Sequence, residues 1–212
     1  MPNVIIGENT YDTEMITAKE TSGDKYAFYK YISSGYITDE LPSGYTMLPC
    51  VNSTQKCHFN TDYVGKLNTW FKFMVLYNSV AGTVITDRSQ NGSGFRMLSD
   101  GWTGYLHGNS VRGSGTYTTG TVYEVEAYKD SKVIINGDTF EVTSGTKTNT
   151  NVFSIGEENQ GVNGKLYRIQ IYEGDTLVRN YLPCINDQNV AGFYETLSAT
   201  FHASDGAEQY TG

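Results

Sequence analysis

Glu124 and Glu126 stand two residues apart in Val122–Tyr128, a stretch that alternates between apolar and charged side chains. On an extended strand that spacing sets both carboxylates on one face, the least that a hydrolytic acid/base pair requires. Asp130 follows, but Lys129 and Lys132 crowd the end of the segment, so the pair reads as a solvated strand face. Glu157-Glu158, in a Gly- and Asn-rich stretch, reads as turn surface. Nucleophile chemistry finds less. The sequence contains neither Gly-x-Ser-x-Gly nor the phosphate-cradling Gly-x-x-x-x-Gly-Lys-Ser/Thr loop. Ser22–Lys25 and Ser144–Lys147 each fit a bare Ser-x-x-Lys, yet both fall in Gly-containing turns rather than at the start of a helix. His107 and His202 have no Asp or Ser at a telling distance in sequence. Cys57-His58 would need two further ligands to hold a metal, and the Cys50 to Cys57 interval fits no common zinc spacing. These residues assign no catalytic group and no metal ligand, and the chain is expected to be non-enzymatic.

The elements that carry these residues are short strands. Among 212 residues there are 23 glycines, 4 prolines and 17 tyrosines, and glycine or proline interrupts most windows long enough for a helix. Hydrophobic residues make up 38%, enough for a real core. In Val122–Tyr128 the alternation turns Tyr123, Val125 and Ala127 to one side. Lys132–Val142 is broken by Asn136-Gly137, the strongest short signal for a type I′ hairpin. Lys165–Tyr172 repeats the alternation, with Tyr167, Ile169 and Ile171 expected inward and Arg168 and Gln170 outward. Glu173-Gly174-Asp175 then turns the chain into Thr176–Leu182. Thr69–Tyr77 is apolar on both faces, as for a central strand packed on two sides. Many short strands joined by Gly-rich turns imply an all-β sandwich of two antiparallel sheets, since each sheet must cover its apolar face with another.

Charge and cysteine usage narrow the partners. The net charge of −8 argues against nucleic acid, whose affinity comes from clustered Lys and Arg. No apolar run approaches the ~20 residues of a membrane span, and Met1–Thr10 lacks the basic-then-apolar order of a signal peptide. Three cysteines form no disulfide framework and are expected to be free thiols made in a reducing cytoplasm. The first 40 residues differ in texture. Val4–Ile6, Glu14–Ala18 and Lys25–Tyr31 read as three short strands, and a boundary falls near Thr38–Ser43. Residues 1–40 are thus an anchoring segment, with Val4, Ile5, Ile6, Tyr11, Tyr26 and Phe28 as its candidate docking side chains, and 41–212 form the sandwich. A meander of about 30 residues buries too little surface to stand alone, so it must lie on the larger domain, trimerise or dock on another protein.

Leu41-Pro42-Ser43-Gly44-Tyr45-Thr46-Met47-Leu48, then Ser53-Thr54 and Phe59-Asn60-Thr61, resemble the opening of a concanavalin A-like, laminin-G-like jelly roll. Such domains abound in bacteriophage structural proteins and bacterial surface proteins. The resemblance continues through Asn163–Tyr172, Leu177-Val178-Arg179-Asn180-Tyr181-Leu182-Pro183-Cys184, Val190–Glu195 and Ser198–Phe201, and covers about Leu41–Gly212. The sequence departs from the family at Cys57-His58 and Asp62. Asn3–Gly7, Thr10-Tyr11 and Tyr26–Tyr29 are similar to the leader of phage fibre and head-decoration proteins.

The resemblance implies a virion structural protein, in capsid decoration, head fibre or tail, assembled in the bacterial host cytoplasm and exposed on the particle surface. Its partners would be capsid or tail proteins and copies of itself, with host-surface glycans as candidate ligands. A cell-surface carbohydrate-binding module or adhesin is the alternative, and a glycanase a more distant one: Glu124-x-Glu126 lacks the third carboxylate of the Glu-x-Asp-x-x-Glu pattern of such enzymes. Lectin-like relatives stack aromatic rings on sugars while loop amides bind hydroxyls. By residue type Trp102, Tyr105, His107 and Asn91 are the candidates, with sheet packing the competing role for Trp102 and Tyr105. Calcium, held by loop carboxylates in many relatives, would fall to Asp87, Asp100 or Asp187, which carry no specific motif.

Overall fold

The computed structural model describes residues 3–6, 9–12, 15–19, 25–29, 41–79, 82–87 and 93–212. The chain divides into two compact units, Met1–Glu40 and Leu41–Gly212. In the first, β1 (Asn3–Ile6) pairs antiparallel with β2 (Asn9–Asp12), and β3 (Met15–Lys19) with β4 (Lys25–Tyr29). Four strands in two hairpins thus replace the expected three. The additional strand, Asn-Thr-Tyr-Asp, lacks the apolar alternation that marks strands, while Thr and Tyr still favour extended backbone. Val4, Ile5, Ile6, Tyr11, Tyr26 and Phe28 lie in β1, β2 and β4, and the docking role expected of them concerns side chains outside those described.

The second unit is an antiparallel two-sheet sandwich of the jelly-roll kind, without a helix among its described residues. The smaller sheet uses β7 (Phe59–Asn60), β9 (Gly82–Thr86), β10 (Gly94–Leu98), β11 (Gly101–Leu106), β12 (Asn109–Ser114) and β16 (Ser154–Ile155). They are ordered β12-β11-β10-β9-β16-β7. The larger sheet draws on β8 (Thr69–Tyr77), β13 (Val122–Lys129), β14 (Lys132–Ile135), β15 (Asp138–Glu141), β17 (Gly164–Glu173), β18 (Thr176–Asn186), β19 (Ala191–Glu195) and β20 (Thr200–His202). Their order is β15-β14-β13-β8-β17-β18-β19-β20, with β5 (Tyr45–Met47) pairing β18 and β6 (Val51–Ser53) pairing β17.

Alternation sets which side chains fill the space between the sheets. Phe71, Phe73 and Val75 of β8 and Val125 and Ala127 of β13 point in and are fully buried. They meet Phe59, Ile85, Phe95 and Trp102 of the smaller sheet, with Phe153 beside them. The outer face of β8 differs from the two-sided packing that its composition suggests. Met74 and Leu76 remain half-buried, because the second layer covers only the inner side. The Asn136-Gly137 hairpin forms as its sequence requires, with both residues at positive φ (49° and 94°) between β14 and β15.

Two bulges break the simple period. In β17, Leu166 sits opposite Val75 and Ile169 opposite Phe73, so three residues face two across the ladder. The extra residue moves Tyr167 out of the inward row expected for it, and Leu166 takes the buried place. In β13 the register shifts between Ala127 and Lys129, and Tyr128 adopts φ 78°. Its ring turns inward beside Ala127, and its hydroxyl donates across the core to the Gly94 carbonyl of the smaller sheet, 2.5 Å away. The C-terminal segment completes the packing. Tyr210 buries its ring edge-on to Phe59 and Phe193, and Asn52 and Thr211 bridge.

Candidate functional site

The carboxylate pair is built as the strand pattern demands. Glu124 and Glu126 lie on the outer face of β13, and Lys72 of neighbouring β8 places its ammonium 3.0 Å from one and 2.9 Å from the other. Burial by itself would lower the Lys72 pKa, but the bonds from Glu126 and Glu124 raise it, so this cation stays charged between them. A substrate would have to displace that lysine to lie between the carboxylates. The nearby Trp70 is also occupied on both ring faces: Tyr172 stacks at 4.1 Å, nearly parallel, and the Lys129 ammonium lies 5.0 Å from the ring centre. Neither group offers a free surface for sugar chemistry on this face.

Asn180 and Glu195, both fully buried, form the densest polar cluster of the closing strands. The Asn180 amide oxygen accepts from Arg168 Nε at 2.7 Å, and its amide nitrogen donates to Thr196 Oγ1 at 2.9 Å. The Glu195 carboxylate accepts three backbone N–H groups, from Asn180, Leu197 and Ser198. Every member is partnered, which is how a buried charge is tolerated, and the network holds the β19–β20 hairpin. The Arg-Asn-Tyr segment that carries the sequence resemblance thus has a structural task.

The four residues singled out for ligand contact do not converge. Trp102 is fully buried between the sheets, stacked on Phe95 at 5.7 Å and edge-on to Phe140, so no ring face is open to a sugar. Its period-two neighbour Gly104 is also inward, which puts Tyr105 on the outer face, 46% exposed. Asn91 lies outside the described residues.

His107 closes the β11–β12 turn at φ 52° and is buried, 1% exposed. It sits at one end of the sandwich, where the segments 61–68, 107–108 and 142–153 come together. Lys147 N donates to the His107 carbonyl, Phe153 N to the Tyr63 carbonyl, and His107 N to Ser93 Oγ. Neither ring nitrogen of His107 makes a well-formed hydrogen bond, and both amide atoms of buried Asn149 likewise lack a partner. Burial lowers the His107 pKa, while the Leu67 backbone carbonyl and the Asp87 carboxylate pull weakly the other way. The net result is a neutral imidazole. Val64, Leu67, Val152 and Tyr105 are four of the six large apolar side chains exposed among the described residues, and all belong to this end. The amide of Asn149 is a member that sequence reasoning missed: a lone Asn in a Thr/Asn-rich stretch gives no signal of burial.

The acidic residues considered for calcium are dispersed. Asp87 is buried beside His107, Asp100 is exposed and ion-paired with Arg112 at 2.9 Å, and Asp187 is exposed in the β18–β19 turn. Among the described residues no group of three His, Cys, Asp or Glu is arranged to hold a metal.

At the opposite end, the loops β6–β7 and β16–β17 and the C-terminal segment enclose a shallow groove of about 260 Å³, lined by Thr54, Gln55, Lys56, Asn159, Asn163 and Glu208. Lys56 and Glu208 pair across it at 3.0 Å, and the Lys56 and Thr54 side chains hold the Glu208 carboxyl below its usual pKa. Beneath it Cys57, a buried free thiol, donates to the Glu208 carbonyl and receives the Thr54 N–H. No protein-family model matches the sequence, and no curated protein matches it.

Proposed function

We propose that the chain is a non-enzymatic structural component of a bacteriophage virion, a capsid-decoration, head-fibre or tail protein. Residues 1–40 dock it on the particle, and the jelly-roll sandwich is displayed toward the host surface. The observation that carries this reading is the division into two units of unequal self-sufficiency. The sandwich has a continuous aromatic core, whereas the first unit pairs its strands only two by two. A two-stranded hairpin is marginal in water by itself, so a segment built of two of them suits a docking element that gains its order from a partner. The resemblance of the leader and of residues 41–212 to phage structural domains agrees with this. The lysine held between Glu124 and Glu126 favours a surface role for that strand over glycan hydrolysis.

The test is incorporation. In purified particles the full chain should be present in stoichiometric copies, and a chain lacking residues 1–40 should stay soluble and be lost from them. Full incorporation without residues 1–40, or a chain found free in lysate and missing from particles, overturns the reading. The second of those results would favour the adhesin alternative.

A further inference from the structure

The groove opposite His107 plays no part in the assembly reading, yet its construction is that of a recognition site. Six polar side chains line it, and no aromatic or aliphatic residue does. The side-chain amides of Gln55 and Asn159 have no hydrogen-bond partner among the described residues. Asn163 spends only its Nδ2 on Ser79 Oγ, at 3.1 Å. The backbone beneath these groups is fixed. Cys57 N donates to the Thr54 carbonyl, Gly161 N to the Gln55 carbonyl, Gln160 N to the Glu157 carbonyl, and Asn78 N to the Asn163 carbonyl. A Cβ on Gly161 would lie 2.9 Å from the Cys57 carbonyl oxygen, so the two loops touch through backbone and cannot drift apart cheaply. Amides on a fixed frame cost little ordering entropy when they bind.

We propose that this groove binds a neutral saccharide unit. Lys56 and Glu208 already neutralise each other, so the lining presents no surplus charge to a phosphate, an acid or a cation. Exposed pairs of that kind are weak, and both partners remain available to vicinal hydroxyls. Amide and hydroxyl side chains donate and accept at once, as does each hydroxyl of a sugar. The absence of an apolar lining excludes a hydrophobic ligand. A volume of about 260 Å³ suits one or two sugar rings, being below the span of drug-sized pockets. With no ring face to stack on, a single site would bind weakly, and repeated copies on a particle would supply the avidity. The biological setting of this inference rests on the display reading above, whereas its chemistry can be tested apart from any particle.

The experiment is an NMR titration of the ¹⁵N-labelled full chain with glucose, galactose and N-acetylglucosamine, with glycine betaine and inorganic phosphate as charged controls. We expect at least one sugar to shift the amides of Thr54–Lys56 and of residues 159–163. Gln55→Ala should weaken that binding about five- to tenfold, the loss of one or two hydrogen bonds. Asn159→Gly should do the same without disturbing the turn, because Asn159 sits at φ 60°, which glycine adopts freely. Silence from all three sugars, shifts confined to the end that bears Tyr105 and Leu67, or stronger binding of betaine or phosphate would each overturn the proposal. None of those outcomes bears on particle incorporation.

Discussion

His107 and His202 resist protonation for the same reason: burial removes water from the imidazolium and outweighs the carboxylates nearby. His202 lies against the Phe59 ring at 5.0 Å, where a cation would be poorly solvated. Both pKa values are lowered from 6.5, so between 6.5 and the folded values the unfolded chain binds protons that the folded chain refuses. Stability should be complete above about pH 6.5 and decline as the pH falls through and below it. Urea unfolding at pH 7.5 and 5.5 checks this: the midpoint should drop at the lower pH, and the drop should shrink in the His107→Gln, His202→Gln double variant. An unchanged drop would assign the effect elsewhere. Glu173, held below its usual range by Lys66 and Tyr63, works in the same direction but only in the carboxylate range. At this scale the sequence identified His107 by residue type alone. What it could not convey was burial, because that depends on Leu67 and Asp87, which reach the imidazole from other loops.

Strand-level packing turns on Tyr128. The bulge at this position turns a tyrosine of the larger sheet into a tie to the smaller one, and the tie needs room at Gly104. A Cβ there would come within 2.3 Å of the Tyr128 hydroxyl and 2.1 Å of the Gly94 carbonyl oxygen. Gly104→Ala should therefore destabilise the sandwich by about 1–3 kcal/mol through overpacking. Tyr128→Phe, which removes only the hydrogen bond, should cost about 1 kcal/mol. Chemical denaturation of the two variants gives the comparison, and a Gly104→Ala protein as stable as the parent would show that the ring can move aside. The strands themselves were largely legible: the alternation in Val122–Lys129 and the Asn136-Gly137 turn follow from local rules. The bulges were not, because a period-two reading assumes that every residue advances the pleat by one step. One inserted residue in β17 was enough to misplace Tyr167.

Across the whole molecule, pairing order is where local sequence says least. β8 lies between β13 and β17, strands that begin dozens of residues later, and β7 reaches its neighbour only through β16. Such contacts depend on how the complete chain collapses, so a sandwich could be anticipated but not its strand order. The same pairing makes a prediction about autonomy. The core runs from Val51 to Tyr210, the C-terminal segment bridges back to Asn52, and β5 closes on β18, so the second unit supplies its own apolar contacts and closing strands. Residues 41–212 expressed alone should unfold in a single transition, with a thermal midpoint within about 5 °C of the full chain, a shift that corresponds to roughly 1 kcal/mol or less. Residues 1–40 alone, limited to two-stranded pairings, should give no cooperative transition at all. Calorimetry on the two fragments decides the matter. A sandwich that loses its cooperative transition without residues 1–40 would mean that the first unit contributes to the fold, and a docking role for it would then lose its physical basis.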